Sequence, residues 1–160
     1  MTGPFEWYFA YGSNMDPDTF VGRRRIEPVE TAIGHVVGWS LCFDLPVGPG
    51  ERGVANLRAD RTETTWGVVY RIAADDGVRL DRSEGVPHGV YARRDVVVRI
   101  PSGPALAAFT YESVHRGTAR RPSARYLGLL LRGARHHGLP DEWIAHLEAF
   151  ELAVDERFES

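Results

Sequence analysis

The sequence contains no lysine and only one cysteine, Cys42. A single cysteine cannot form an intramolecular disulfide, so the chain fits a reducing cytoplasm better than an extracellular location. All 19 of its Lys and Arg positions are arginine. Two explanations fit this arginine-only set: codon bias in a GC-rich genome, or recognition of anionic ligands by guanidinium groups.

Signals for membranes and nucleic acids are also missing. Met1–Trp7 lacks the basic start and apolar run of a signal peptide. No apolar stretch approaches the roughly 20 residues that cross a bilayer. The net charge of −3 disfavours nucleic-acid binding, which normally requires a basic face. We therefore expect a cytoplasmic protein that binds neither membrane nor nucleic acid.

A chain of 160 residues normally makes one domain with a self-sufficient core. The sequence has no low-complexity tract and no repeat of 20–50 residues. It therefore predicts a single domain over residues 1–160, with the oligomeric state left open.

Short strands broken by Gly, Pro and Asp fill the first two thirds of the chain. Gly34 and Gly38 lie inside one of them and predict bulges or a bend, as in a sheet that curls. About six strands are expected: Phe5–Tyr11, Thr31–Leu45, Val54–Arg58, Thr64–Ile72, Tyr91–Ile100 and Ala105–Glu112.

Helical signals mark four further segments. Glycines directly after two of them, Gly85 and Gly138, are natural helix stops. The segments are a short helix opened by Asp16-Pro17, then Ala74–Glu84, Ser123–His137 and Pro140–Phe150. Strands first and helices last predict an α+β fold: a small, curled, mainly antiparallel β-barrel with flanking helices.

Tyr11-Gly12-Ser13-Asn14 lies where the first strand gives way to a helix. A glycine at such a junction lets backbone N–H groups converge on an anion, and a helix start adds a favourable field. The alternative interpretation is a tight turn in which Ser13 or Asn14 caps the next turn.

Glu84 is predicted to end a helix just before Gly85. The negative end of the helix dipole and partial burial would both raise the pKa of this carboxyl. A carboxyl of this kind suits general acid/base catalysis. The alternative is an exposed glutamate that tolerates an unfavourable dipole contact.

Other polar residues give weaker signals. Tyr126 either reaches a polar site or is a core tyrosine, and Cys42 is interpreted as a small buried hydrophobe. The arginine groups 23–25 and 120–121 are solvated charge or the rim of an anion pocket. The histidines lack metal-ligand spacing, so no metal is expected. They are His35, His88, His115, His136, His137 and His146.

Taken in order, several segments resemble the γ-glutamylcyclotransferase family, which includes γ-glutamylamine cyclotransferases. An isolated Tyr-Gly-Ser-Asn would be a weak match, but the ordered set spans nearly the whole chain. The glutathione-specific branch typically has Tyr-Gly-Ser-Leu, so Asn14 favours the other branches. The matching segments are 8–14, 66–70, 80–86, 89–91, 122–126 and 138–140.

The resemblance implies release of 5-oxoproline from a small γ-glutamyl substrate, without a cofactor. It assigns the acid/base role to Glu84 and substrate binding to Tyr11, Gly12, Ser13, Asn14 and Tyr126. The leaving group stays open, and segment 44–52 would shape its side of the pocket. Two alternatives are an amidase that releases glutamate and a binding module without turnover.

Overall fold

The computed structural model describes residues 4–101 and 103–154. The targeting prediction for Met1–Trp7 therefore falls partly outside the described residues, as do both ends of the predicted domain. Within the described ranges, no helix is long and apolar enough to span a membrane.

One curled sheet forms the centre of the described part of the chain, with strand order β2-β3-β1-β5-β4. Neighbours pair antiparallel except β1 and β5, which pair in parallel. Its five strands are β1 Phe5–Ala10, β2 Glu30–Pro46, β3 Gly53–Ala73, β4 Ala92–Val98 and β5 Leu106–Glu112. The predicted α+β class with a mainly antiparallel sheet is confirmed.

The prediction of about six strands was wrong because β3 is continuous over 21 residues. Its polar middle was interpreted as a connection between two strands. The β2–β3 register shifts there, so that Val37 pairs with Thr64 whereas Trp39 pairs with Ala59. Gly38 lies at this irregularity with φ of +89°, which confirms the bulge predicted for it.

Gly34 has a different role from the predicted bulge, since it pairs in register with Gly67. A Cβ at Gly34 would lie 2.5 Å from Val98 Cγ1, so the missing side chain lets the edge strands β2 and β4 approach. His35 and Arg99 then exchange two backbone hydrogen bonds of 2.9 Å. The sheet curls until its edges touch at this pair, without the continuous pairing of the closed barrel that was predicted.

Three α-helices flank the sheet in the described residues: α1 Ala74–Ser83, α2 Ala124–His137 and α3 Asp141–Glu148. Gly85 and Gly138 follow α1 and α2 in the left-handed region, with φ of +71° and +76°, as predicted. The Ser123 side chain caps α2 by accepting a bond from the Tyr126 N–H. Helix α3 is shorter at both ends than the predicted Pro140–Phe150.

The helix expected after Asp16-Pro17 is a π-helical segment over Asp18–Arg23. It follows a 3₁₀ turn at Ser13–Met15. The buried Asp16 carboxylate accepts bonds from the Thr19 N–H and hydroxyl, so Asp16 caps this segment as expected. Arg132 of α2 pairs with the same carboxylate at 2.6 Å and ties the segment to α2.

Candidate active site

The six residues predicted to form the site all line one pocket, which holds about 310 Å³ of empty space counting its mouth. The remaining walls come from β1, β3 and the β4–β5 side of the sheet. The full lining is Tyr8, Tyr11, Gly12, Ser13, Asn14, Ala55, Glu84, Tyr91, Tyr111 and Tyr126. The structure thus brings together residues that are far apart in sequence.

The turn at the end of β1 is held in place from two other elements. Within it, the Met15 N–H donates to the Gly12 carbonyl at 3.1 Å. From β3, the Tyr70 hydroxyl donates to the Asn14 carbonyl at 2.8 Å. From the end of α2, His137 Nε2 lies 3.0 Å from the Met15 carbonyl. These contacts fix the backbone that presents Ser13 and Asn14 to the pocket.

Gly12 lets the turn approach the opposite wall closely. A Cβ there would lie 3.1 Å from Ala55 Cβ and 3.3 Å from the Tyr126 hydroxyl. That hydroxyl accepts a 3.1 Å bond from the Ala55 N–H. Burial raises the pKa of Tyr126 to about 12, although hydrogen bonds from Ala55 and Ser13 oppose the shift. Tyr126 therefore stays a neutral hydroxyl at working pH.

Glu84 occupies the position directly after α1, where Gly85 turns the chain. Its side chain is only 13% exposed. Burial raises the pKa of the Glu84 carboxyl, while the charge of Arg24 and a hydrogen bond from Asn14 oppose that rise. The carboxyl is thus weakly solvated but not isolated.

Asn14 uses its whole side-chain amide in this pocket. Its Nδ2 donates to Glu84 Oε1 at 2.8 Å and to the Tyr8 hydroxyl at 2.9 Å. Its Oδ1 accepts a bond of 3.1 Å from Arg24 Nε. Asn14 therefore sets where the Glu84 carboxylate lies.

Four lining residues were not among the predicted site residues: Tyr8, Ala55, Tyr91 and Tyr111. Arg24, which contacts Glu84, was not singled out either. Its Nη2 lies 3.6 Å from Glu84 Oε1. In the sequence it stands between Arg23 and Arg25, and nothing in that run distinguishes the inward-facing member. Only the fold shows that Arg24 contacts Asn14 in the turn, and this contact is what identifies Arg24 as a site residue.

Neutral tyrosines make up much of the pocket wall. Burial raises the pKa of Tyr8, Tyr11 and Tyr91 well above 10. Their hydroxyls are occupied, since Tyr11 donates to the Tyr111 carbonyl and Tyr91 to the Ala55 carbonyl. Glu84 supplies the only carboxylate among the described lining residues.

Neither Cys42 nor any histidine is among the described residues that line this pocket. Burial raises the pKa of the Cys42 thiol to about 11, which disfavours a thiolate nucleophile. The thiol is half-buried and not fully buried as predicted, with Sγ 3.4 Å from the Asn56 carbonyl and 3.8 Å from Arg116. Among the described residues, no three His, Cys, Asp or Glu side chains cluster as a metal site would require.

Arg120 and Arg121 stabilise the tip of the β2–β3 hairpin and do not line this pocket. Arg120 donates to the carbonyls of Gly48 and Arg52, each at 2.9 Å. Arg121 pairs with Glu151 at 3.0 Å. Arg120 thus supports the hairpin tip, and Arg121 connects to the chain after α3.

The chain is similar to known proteins in sequence and in fold. Residues 64–147 match the model of the AIG2-like family. The mouse γ-glutamylcyclotransferase is 30% identical over 148 residues, which cover 90% of this chain and 78% of that protein. The bovine γ-glutamylcyclotransferase is 28% identical with the same coverage.

A solved structure described as a γ-glutamyl cyclotransferase superposes with a TM-score of 0.87 at 25% identity. The match covers 98% of this chain and 94% of that one. Sequence and structural similarity thus extend over nearly the whole chain and include the pocket. The chain belongs to the AIG2-like family, among the γ-glutamylcyclotransferases.

Proposed function

We propose that this protein converts a γ-glutamyl amide or γ-glutamyl amino acid into 5-oxoproline and a free amine, with Glu84 as general acid and base. The names of its relatives supply the reaction class. The observation that carries the proposal is the buried Glu84 carboxyl, held by Asn14 at 2.8 Å in a tyrosine-walled pocket.

In the proposed reaction the substrate supplies its own nucleophile. The α-amino nitrogen attacks the γ-carbonyl carbon, which closes a five-membered lactam. The bond from that carbon to the amide nitrogen then breaks, and the free amine leaves. Water is neither consumed nor released, and no covalent enzyme intermediate, metal or nucleotide is needed.

Glu84 relays protons from the attacking nitrogen to the leaving nitrogen. Its carboxylate accepts a proton from the substrate's α-ammonium group, which frees the lone pair for attack. The resulting carboxylic acid donates that proton to the leaving nitrogen as the carbon–nitrogen bond breaks. The cyclised nitrogen then loses its second proton through Glu84 to the departing amine, which leaves as an ammonium ion. Burial favours the acid form, whereas Arg24 and Asn14 favour the carboxylate, so both forms are accessible to one residue.

The Tyr11–Asn14 turn and Tyr126 are proposed to hold the γ-glutamyl unit. Backbone N–H groups of this turn would bind either the α-carboxylate or the oxyanion that develops at the γ-carbonyl. Losing one oxyanion donor typically lowers the rate about 10²–10³-fold. Holding amine and carbonyl in attack geometry contributes up to about 7–11 kcal/mol in favourable intramolecular reactions.

The test is incubation of the purified protein with γ-glutamyl amino acids, γ-glutamyl-ε-lysine, glutathione and simple γ-glutamyl amides, followed by mass spectrometry of the products. We expect 5-oxoproline from at least one of them. Glutamate in its place would show that water attacks and would overturn the cyclisation mechanism.

The variant Glu84→Gln tests the catalytic residue. General acid/base catalysis typically contributes about 10²–10⁴-fold, so turnover should fall at least about 100-fold while calorimetry still detects substrate binding. Glu30→Gln is the matched control, because the Glu30 side chain is 56% exposed and pairs with Arg71 away from the pocket. More than about a tenth of wild-type turnover in Glu84→Gln would contradict the assigned role.

A further inference from the structure

A second cavity, which we call the side groove, adjoins the pocket at Glu84. It holds about 580 Å³ of empty space counting its open side. Glu84 and Tyr91 line both cavities. The lining of the side groove is Leu45, Pro46, Val47, Val54, Ser83, Glu84, Gly85, Val90 and Tyr91.

The walls of the side groove come from the tip of the β2–β3 hairpin and the turn after α1. Val90 packs directly on Gly85, since a Cβ at Gly85 would lie 2.8 Å from the Val90 side chain. Leu45 is buried, and Val90 is 38% exposed at the rim. Most of the lining is therefore aliphatic.

The charge of the side groove is as informative as its shape. Glu84 is the only charged residue among its described lining residues, which include no arginine or histidine. A carboxylate entering this groove would face the Glu84 carboxyl without a lining cation to pair with. Burial of an unpaired charge is strongly unfavourable, whereas burial of an alkyl group is favourable.

The proposed chemistry directs the leaving group into the side groove. Glu84 must protonate the departing nitrogen, which places that nitrogen within hydrogen-bond distance of its carboxyl. The rest of the amine then extends away from Glu84. A different groove, which includes Arg125, reaches the pocket at Tyr126 and is not lined by Glu84.

We propose that the side groove is the leaving-group subsite and that it selects γ-glutamyl amides of apolar amines that carry no carboxylate. The inference rests on the proposed function and adds the chemical class of the leaving group. Segment 44–52, which the sequence alone could not connect with any leaving group, supplies part of this subsite through Leu45, Pro46 and Val47.

Three matched substrates test the selectivity. γ-Glutamyl-isopentylamide and γ-glutamyl-leucine differ only in the leucine carboxylate, whereas γ-glutamyl-ethylamide lacks three of the isopentyl carbons. Each fully buried methylene contributes about fourfold. We expect kcat/KM for the isopentylamide to exceed that for either of the other two by on the order of tenfold or more.

A positive charge introduced at the rim of the side groove tests whether the leaving group binds there. Val90→Arg should lower kcat/KM for the isopentylamide and raise it for γ-glutamyl-leucine, so that their ratio falls about tenfold. Val37→Arg is the matched control, because Val37 is 54% exposed on β2 and does not line the side groove. In Val37→Arg, the ratio of kcat/KM for the isopentylamide to kcat/KM for γ-glutamyl-leucine should equal that of the wild type. Circular dichroism checks that both variants fold.

The outcomes separate this inference from the proposed function. Turnover to 5-oxoproline with γ-glutamyl-leucine at least equal to the isopentylamide would overturn the inference alone. If Val90→Arg left the kcat/KM ratio of the isopentylamide to γ-glutamyl-leucine unchanged, the leaving group would lie outside the side groove. The same would follow if the enzyme preferred γ-glutamyl-leucine and Arg125→Gln abolished that preference. Absence of 5-oxoproline from all three substrates and from the wider panel would overturn both proposals.

Discussion

The side-chain amide of Asn14 donates a 2.8 Å hydrogen bond to Glu84 Oε1, across 70 positions of the chain. It joins the turn after β1 to the residue that follows α1. The same amide accepts from Arg24 Nε at 3.1 Å. Asn14 therefore links the proposed acid/base, a neighbouring cation and the proposed substrate-binding turn.

Replacing Asn14 tests that link. Asn14→Leu leaves the Glu84 carboxylate without its amide donor, and hydrogen bonds to charged groups contribute about 1.5–3 kcal/mol. We expect kcat/KM to fall about 10–150-fold, and the acid limb of its pH profile to move to higher pH because the bond lowers the pKa of Glu84. Wild-type kinetics in a folded Asn14→Leu protein would contradict this role.

Arg24 should control the pH dependence of the reaction. Its positive charge lowers the pKa of Glu84, so Arg24→Gln should raise that pKa. Less carboxylate is then present on the acidic side, and the acid limb of kcat/KM should move to higher pH. High salt should change this difference little, because a partly buried pair 3.6 Å apart is screened far less than exposed charges are.

Arg23→Gln is the control for that measurement. Arg23 belongs to the same arginine run but is exposed, and its charge is not among the groups that shift the pKa of Glu84. Its pH profile should match wild type. Equal shifts in the two variants would show that general surface charge, and not the contact between Arg24 and Glu84, sets the acid limb.

What the sequence could predict depends on the range of each interaction. Local signals placed Gly85 and Gly138 at helix ends and Gly38 at a bulge, because each reflects backbone geometry within a few residues. The residues alone left Asn14 and Glu84 with competing interpretations, and only the family resemblance joined them in one site. The inward position of Arg24 depends on packing between distant segments, which a run of three arginines does not encode.

The continuity of β3 escaped prediction for a related reason. Residues 59–63 are mostly polar, which is typical of a connection between strands. In the fold this stretch stays in β3 opposite the Gly38 irregularity, where solvent faces the hairpin. Residues 60–63 have no register partner in β2, since Val37 pairs with Thr64 and Trp39 with Ala59. Their polar composition thus marks the register shift and not the end of a strand.

Glu84 should make the protein less stable at neutral pH. Its pKa is raised in the folded state, whereas an unfolded glutamate titrates near about 4.3. Below that pH the carboxyl is protonated in both the folded and the unfolded state, so it does not change the free energy of unfolding. As pH rises towards the folded-state pKa, the unfolded state ionises first, so stability is lost over that window and remains lower above it.

Glu84→Gln removes this titration while retaining an acceptor for Asn14. The variant should therefore be more stable than wild type at pH 8, with the difference shrinking towards zero near pH 4. Urea denaturation at pH 4, 6 and 8 measures the free energy of unfolding of both proteins. A variant less stable than wild type at pH 8 would mean that Arg24 and Asn14 more than offset the desolvation of the carboxylate.

Two glycines of α2 offer a matched test of how the turn is supported. A Cβ at Gly133 would lie 2.5 Å from the backbone carbonyl carbon of Met15, whereas a Cβ at Gly128 would meet nothing within 4 Å. Gly128→Ala should stabilise the helix by about 0.5–1 kcal/mol. Gly133→Ala gains the same helix propensity but forces α2 away from Ser13–Met15, and such overpacking costs about 1–3 kcal/mol.

We therefore expect the unfolding free energy of Gly133→Ala to lie about 1–3 kcal/mol below that of Gly128→Ala in urea denaturation. Its kcat/KM should also fall, because displacing Met15 shifts Asn14 relative to Glu84, whereas Gly128→Ala should keep wild-type kinetics. Equal stability and kinetics in the two variants would show that α2 can move away without disturbing the turn. Contact between Gly133 and Met15 would then not be what fixes the geometry of the pocket.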